Sequence, residues 1–253
     1  MCGSSSANSF ACTSILTERM VAGENIPLHA YEAGVSRTHL MTINSLGNTL
    51  SRITLSHEEI ERQIADYELI FKDYRNSDIE WRISLPVFVT AFYDFIIKFG
   101  KIPTQFDFYK YYCESNKDAI LELDLTKLQI RGLKARIYRT YPSFVRDVHF
   151  GMYLKYSGMF DDVFYNEVLD VEYGIDLVVK QNNKVAGLCL FTKTDNAQYA
   201  RNKKEFRQKK HFEYECIEVP IDFKKCKKCG MFFLYGETEM REIQSNCKKI
   251  KGL

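Results

Sequence analysis

The stretch GIDLVVKQNNKVAGLCLFTK, residues 174–193, constrains the fold more than any other part of the chain. Two short runs of β-branched and apolar residues flank a polar centre, which is the pattern of two strands joined by a tight turn. Asparagine tolerates the positive φ that two-residue hairpin turns demand, so a type I′ turn centred on Asn182-Asn183 is natural. A charge stands at each end, Asp176 opening the first run and Lys193 closing the second. With the turn on Asn182-Asn183, Asp176 faces Cys189 across the pair. With the centre moved to Asn183-Lys184, Asp176 faces Phe191, and Lys193 lies two residues further on the same face. Turn chemistry favours the first register; on sequence alone both stay open.

The surroundings of the hairpin set its context. Residues 1–50 are rich in Ser, Thr, Asn and Gly without a sustained period, as expected of a poorly ordered N-terminal arm. Residues 51–140 carry helical signals. In LSHEEIERQIADYELIFKDYR, Ser56 and Glu59 make a capping box, and Ile60, Ile64, Tyr67, Ile70 and Phe71 follow at helical spacing. LPVFVTAFYDFIIKFG stops at Gly100, IPTQFDFYKYYCES starts behind Thr104, and KLQIRGLKARIYRTY adds a further helix. PSFVRDVHFGMYLKYSG opens residues 141–253, with Pro142 in its first turn and Gly158 just past its end. Beyond residue 160 the texture turns to β: FYNEVLDV, GIDLVV, VAGLCLFT, HFEYECIEVP and MFFLYG, with the basic, helix-like NAQYARNKKEFRQKK between the third and fourth. The expected class is α/β (α+β), an N-terminal helical region followed by a mixed-sheet core flanked by helices.

Composition sets outer limits. A chain of 253 residues with 45% hydrophobic side chains can bury a sizeable core. The net charge of +2 does not point to nucleic acid by itself, so any basic footprint must be local. No apolar run approaches the ~20 residues of a membrane helix, and the N-terminus lacks the features of a secretion signal. An intracellular, cytoplasmic protein with no membrane partner is expected. The 8 cysteines are scattered through a core-rich chain, so free thiols are expected rather than a disulfide framework. Cys113 and Cys189 sit in apolar segments and look like core. There is no phosphate-binding glycine loop and no nucleophile elbow.

The order of elements carries a resemblance. A helix bearing Asp147, a strand, a hairpin with Asp176 at its start, a basic helix and a further strand together resemble the PD-(D/E)XK, or restriction-endonuclease-like, nuclease superfamily over about residues 141–236. The helices before them would be an addition to that core. Members of the superfamily hold Mg²⁺, or Mn²⁺, with an Asp early in the hairpin and an acid on its second strand, and a Lys two residues later positions or activates the attacking water. By resemblance Asp176 is the metal ligand, and Asp147 and Lys193 join it in catalysis. The sequence departs from the pattern at one point: neither register supplies the second-strand acid. Asp147, Glu167 or Glu172 would have to replace it, and Lys203 or Lys204 could stand in for the lysine. The resemblance implies a metal-dependent endonuclease acting on DNA, in restriction or defence against foreign DNA, often as a dimer. Its helical region would bind substrate, a partner subunit or a regulator. The plain alternative gives each residue an ordinary task. An Asp beside a Gly at a strand start is most often a turn residue, a Lys at a strand end is solvated, and Asp147 pairs with Arg146 or Arg139. The protein would then be a catalytically inactive module on the same fold, binding nucleic acid or protein.

Two further features bear on partners. RNKKEFRQKK, residues 201–210, holds six basic residues, Arg201, Lys203, Lys204, Arg207, Lys209 and Lys210, against one Glu, with His211 next. Such a local field suits phosphate backbones and gives salt-sensitive, sequence-independent affinity, although most charge runs are solvated faces. Cys226 and Cys229 form one C-x-x-C followed by Gly230. Zinc needs four ligands, and Cys216, Cys247 or His211 would have to complete the set. A basic loop with free thiols is the expected state there, and structural zinc the lesser one.

Overall fold

A computed structural model describes residues 46–193, 212 and 214–250. All of them belong to one compact unit, Thr42–Leu253; a second unit, Met1–Met41, lies outside the described residues. The end of the expected N-terminal arm is tied in. The Asn48 side chain donates to the Val163 carbonyl at 3.0 Å and accepts from the main-chain N–H groups of Leu50 and Tyr165. The short 3₁₀ turn Thr49–Arg52 that it caps buries Leu50 completely.

Six helices come first: α1 (His57–Ile64), α2 (Ser77–Trp81), α3 (Phe88–Phe99), α4 (Gln105–Ser115), α5 (Lys117–Glu122) and α6 (Lys127–Tyr156). The capping box of α1 forms as the sequence predicts, with Ser56 N–H on Glu59 at 2.7 Å and Glu59 N–H on Ser56 at 3.2 Å. The helix is shorter than its periodicity suggests. After Ile64 the chain turns and runs without helix through Asn76, leaving Ile70 51% and Phe71 69% exposed. The reason lies in long-range hydrogen bonds. The Gln105 side chain takes the N–H of Ile70 at 2.7 Å, and the Tyr67 hydroxyl donates to the Ile102 carbonyl at 2.8 Å. These bonds hold the segment away from the helix that its own pattern would build.

The largest departure concerns Pro142. The sequence places it at the start of a new helix, yet α6 runs for 30 residues straight through it. A proline has no N–H, so the carbonyl four residues back loses its intrahelical donor. That carbonyl belongs to Tyr138, and the buried Gln105 amide donates to it at 2.9 Å. One side chain from α4 therefore repairs the break. The boundary expected at 140/141 falls inside α6, and one hydrophobic cluster spans both sides of it, from Ile60, Phe92 and Phe108 to Val148, Val179 and Leu188.

The β elements are β1 (Asp162–Phe164), β2 (Leu177–Gln181), β3 (Lys184–Thr192), β4 (Glu215–Ile221), β5 (Lys227–Cys229) and β6 (Phe232–Leu234), followed by helix α7 (Glu237–Lys249). The main sheet runs β1-β2-β3-β4. Its first two pairings are antiparallel and the last, β3 with β4, is parallel. An α+β fold with a mixed sheet flanked by helices is what the sequence predicts. Of the run FYNEVLDV only Phe164 is strand; Leu169–Tyr173 closes a π-helical turn instead. One sheet face, with Leu177, Val179, Leu188 and Val219, packs into the large core, while Phe164, Val178 and Phe212 form a small cluster of their own. The second sheet is the β5-β6 hairpin. Helix α7 was not foreseen, although Met240, Ile243 and Cys247 give it a buried face and Lys248 and Lys249 suit its last turn. No helix among the described residues is long and apolar enough to cross a membrane.

Replacing Gln105 by Ala should lower the unfolding free energy by about 1–3 kcal/mol, because it strands buried backbone groups. The same change should cost about 1 kcal/mol less when Pro142 is also Ala, since residue 142 then offers Tyr138 its own N–H. A urea-unfolding double-mutant cycle measures the difference, and strict additivity would show that Gln105 does not substitute for the missing donor.

Candidate functional site

The hairpin register is settled by its turn. Asn182 and Asn183 have φ of 50° and 63°. The strands pair from Gln181 with Lys184 to Leu177 with Leu188. Continued by one residue, that register sets Asp176 beside Cys189. Phe191 then occupies the place two residues on, where the superfamily has its lysine. Lys193 lies four residues past Cys189, about 13 Å along the strand at its usual rise. It is exposed just beyond β3, and its main-chain N–H donates to Ile221 at 3.2 Å. The structure therefore does not bring Lys193 into the position that catalysis with Asp176 requires.

Asp176 is brought to a defined place. Gly174, at φ 71°, ends the π-helical turn in the left-handed region and swings the chain into β2. The Asp176 N–H then donates to Leu188 at 2.9 Å, and its Oδ2 accepts from the Leu190 N–H at 2.7 Å. Asp147 stands half-buried on α6. Neither expected arginine pairs with it. Arg139 is bound to Glu80, and Arg146, 8% exposed, lies over Tyr235 and Phe223 with an Nε that has no partner among the described residues.

The charges of Asp147 and Asp176 act on the same two buried hydroxyls. Burial first, then the charges of Asp147, Asp170, Asp176 and Glu167, raise the Tyr93 hydroxyl well above its ordinary pKa. The Tyr235 hydroxyl rises through burial, Asp147 and Asp176, with Arg146 opposing. Tyr235 bridges β3 and β4 at 3.3 Å from the carbonyls of Phe191 and Val219. Tyr93 stacks on Tyr165 with centroids 4.1 Å apart, and Tyr165 lies 3.4 Å from Asp170. Glu167 holds its proton more readily than an exposed carboxyl, because of burial and despite Arg52. Of the acids that sequence offered, Asp147, Asp176 and Glu167 bear on Tyr93; Asp170, which bears on it too, was not foreseen. Among the described residues, no group of three or more His, Cys, Asp or Glu is arranged to hold a metal ion.

The basic run Arg201, Lys203, Lys204, Arg207, Lys209, Lys210 and His211 lies outside the described residues. Cys226 and Cys229 sit at the β5-β6 hairpin, and burial raises both thiol pKa values. Cys229 Sγ donates to the Glu61 carbonyl at 3.3 Å. At the hairpin tip Gly230 has φ +53°, and a Cβ there would stand 2.3 Å from the Ala65 carbonyl oxygen, so the turn is seated directly on the end of α1. Cys216 is exposed and Cys247 buried, both as free thiols.

Comparison with protein-family models, with curated proteins and with solved structures finds no match to this chain.

One titratable cluster escaped the sequence, because its members are far apart in the chain and each has an ordinary local role. His149, buried on α6, shares a 2.8 Å hydrogen bond with Glu61 of α1, and Lys227 of β5 lies 2.7 Å from both Glu61 oxygens. His57 packs edge-on to His149 with centroids 6.0 Å apart. Burial drives the His149 pKa down to about 4, against the pull of Glu61. Burial works to raise the Glu61 pKa, but Lys227 and His149 outweigh it and hold it below the ordinary value. Between pH 6.5 and about 4 the unfolded chain binds a proton at residue 149 that the folded protein refuses. Stability is therefore full above that window and falls as pH drops through it, by an amount on the order of 3 kcal/mol. Substituting His149 by Gln should flatten the slope of unfolding free energy against pH in that window; an unchanged slope would assign it to other groups.

Proposed function

We propose that this chain is a restriction-endonuclease-like protein that hydrolyses phosphodiester bonds in DNA with the help of a divalent cation. The observation that carries this reading is the placement of Asp176 at the mouth of β2, its carboxylate held by the Leu190 N–H at 2.7 Å, with the charge of Asp147 from α6 acting on the same buried tyrosines, Tyr93 and Tyr235. The sheet around them supports it, with two antiparallel pairings followed by a parallel one. Mg²⁺ takes one or two carboxylates and completes its shell with water and phosphate, so on this reading Asp176 would hold it with Asp147 as the second acid. Such a cation polarises a phosphoryl oxygen and lowers the pKa of a bound water. The Leu190 N–H on Asp176 is the kind of outer hydrogen bond that orients a ligating carboxylate. With Phe191 in the usual lysine position, the positive charge on this reading comes from Lys203 and Lys204.

One observation favours a second reading. Cys189 and Phe191 stand where the superfamily has its acid and its lysine, which suits a core that has kept the fold, lost the reaction and binds nucleic acid or protein.

Plasmid and single-stranded DNA incubated with Mg²⁺ or Mn²⁺ separate the two. On the first reading wild type cleaves. Asp176→Asn and Asp147→Asn should each lose on the order of a hundredfold or more in rate, while DNA affinity by fluorescence anisotropy is retained. Lys193→Ala should cut at close to the wild-type rate, whereas Lys203→Ala/Lys204→Ala should not. DNA binding without cleavage under either cation favours the second reading. Normal cutting by Asp176→Asn places any nuclease site elsewhere.

A further inference from the structure

A cleft of about 330 Å³ opens between the segment after α1 and the N-terminal half of α6, lined by Lys72, Asp73, Tyr74, Arg131, Lys134 and Ala135. Its three cations each lie over an aromatic ring. The Arg131 guanidinium is 4.3 Å from the Tyr74 centroid. Lys134 Nζ lies 5.1 Å from the ring of Tyr109 and 5.5 Å from that of Tyr138, and Lys72 approaches Tyr138 at 5.5 Å. None of the three forms an ion pair among the described residues. The rings hold these charges in place without neutralising them.

The surroundings deepen the positive field. Arg139 donates to the carbonyls of Lys72 and Tyr74, at 3.1 and 2.6 Å, and so fixes the extended segment against α6. Its own charge, with that of Arg136, is met by Glu80. Burial lowers the Arg139 pKa, and Arg75 and Arg136 lower it further, with Glu80 and Asp73 opposing, so Arg75 belongs to the same neighbourhood. Six cations (residues 72, 75, 131, 134, 136 and 139) thus lie near three acids, Asp73, Asp78 and Glu80, in a chain whose net charge is only +2.

We infer that this cleft is a binding site for a single-stranded segment of nucleic acid, with its backbone phosphates on Lys72, Arg131 and Lys134. Charge complementarity selects a polyanion. Lys72 on the extended segment and Arg131 and Lys134 on α6 line the cleft from both sides, an arrangement that suits a chain of phosphates rather than one. The outer face of the Arg131 guanidinium, whose inner face lies on Tyr74, offers a platform on which a base stacks, as strand-binding proteins use aromatic and arginine planes. The inference rests on the reading above for DNA as the acid concerned, and it adds a second contact region on a different part of the protein from Asp147 and Asp176.

The test is binding of a fluorescein-labelled single strand, measured by anisotropy over a salt series on the full chain. Arg131→Glu/Lys134→Glu should weaken binding at least tenfold and make log K less steep against log salt by about one unit or more, as expected when phosphate contacts are removed. Lys248→Glu/Lys249→Glu makes the same change in net charge on exposed positions of α7 and should shift affinity less than threefold. Thermal unfolding of both variants checks folding, and Lys72→Ala, at the rim, repeats the test more gently. If the cleft variant binds as wild type does, the inference is overturned, and cleavage by wild type would leave the nuclease reading standing. If wild type binds no strand, or polyglutamate competes as well as DNA at equal charge, the inference also fails. Loss of binding in the cleft variant with no cleavage by wild type supports the cleft and removes the nuclease alone.

Discussion

The bond from Gln105 to the Tyr138 carbonyl holds more of this structure together than its modest energy suggests. Without a donor there, Pro142 would give α6 a reason to kink in its middle. With it, a 30-residue helix of about 45 Å runs unbroken past every feature of functional interest. The cationic cleft uses Arg131 and Lys134 from its first turns. Asp147, His149 and the core-facing Val145 and Val148 come from its second half. The same glutamine accepts the Ile70 N–H and so draws the extended segment alongside. One buried amide thus sets both the straightness of the scaffold and the wall of the cleft.

The acidic end of the sheet follows a different physical rule. Burial first, and then the charges of neighbouring carboxylates, make the hydroxyls of Tyr93 and Tyr165 hold their protons more tightly. A neutral phenol can lie against several negative charges where a phenolate could not. The stacked ring pair gives the site a stiff floor, and the Leu190 amide fixes one oxygen of Asp176 above β3. Among the described residues these acids form no group of three or more arranged to hold a metal ion.

What the sequence made legible was mainly local. The Asn182-Asn183 turn, the Ser56-Glu59 box and the Thr104 cap each depend on residues within a few positions of one another, and each forms as expected. Two-period and helical patterns were enough for the fold class, while the parallel pairing of β3 with β4 is visible only in the structure. Two of the failures share one cause. Pro142 reads as a helix start because its rescuer lies 33 residues from the freed carbonyl, and the stretch after Ile64 reads as helix because its competing bonds come from Ile102 and Gln105. At the site, Asp176 and Asp147 were legible as acids in suggestive places, but the partners of Asp147 were not. The arginines that seemed natural to it are committed elsewhere, one to Glu80 and one to aromatic rings. The Glu61–His149–Lys227 cluster joins three segments and leaves no trace in any one of them.

The seat of Gly230 on Ala65 has a mechanical consequence. With a backbone oxygen so close to where a methyl group would stand, and with Lys227 and Cys229 both bound to Glu61, the cysteine hairpin is joined to α1 at three points. That junction is tied to the longest helix through the imidazole of His149. The thiol loop thus meets the helix that carries Asp147 through one continuous line of side-chain contacts, from Lys227 through Glu61 to His149.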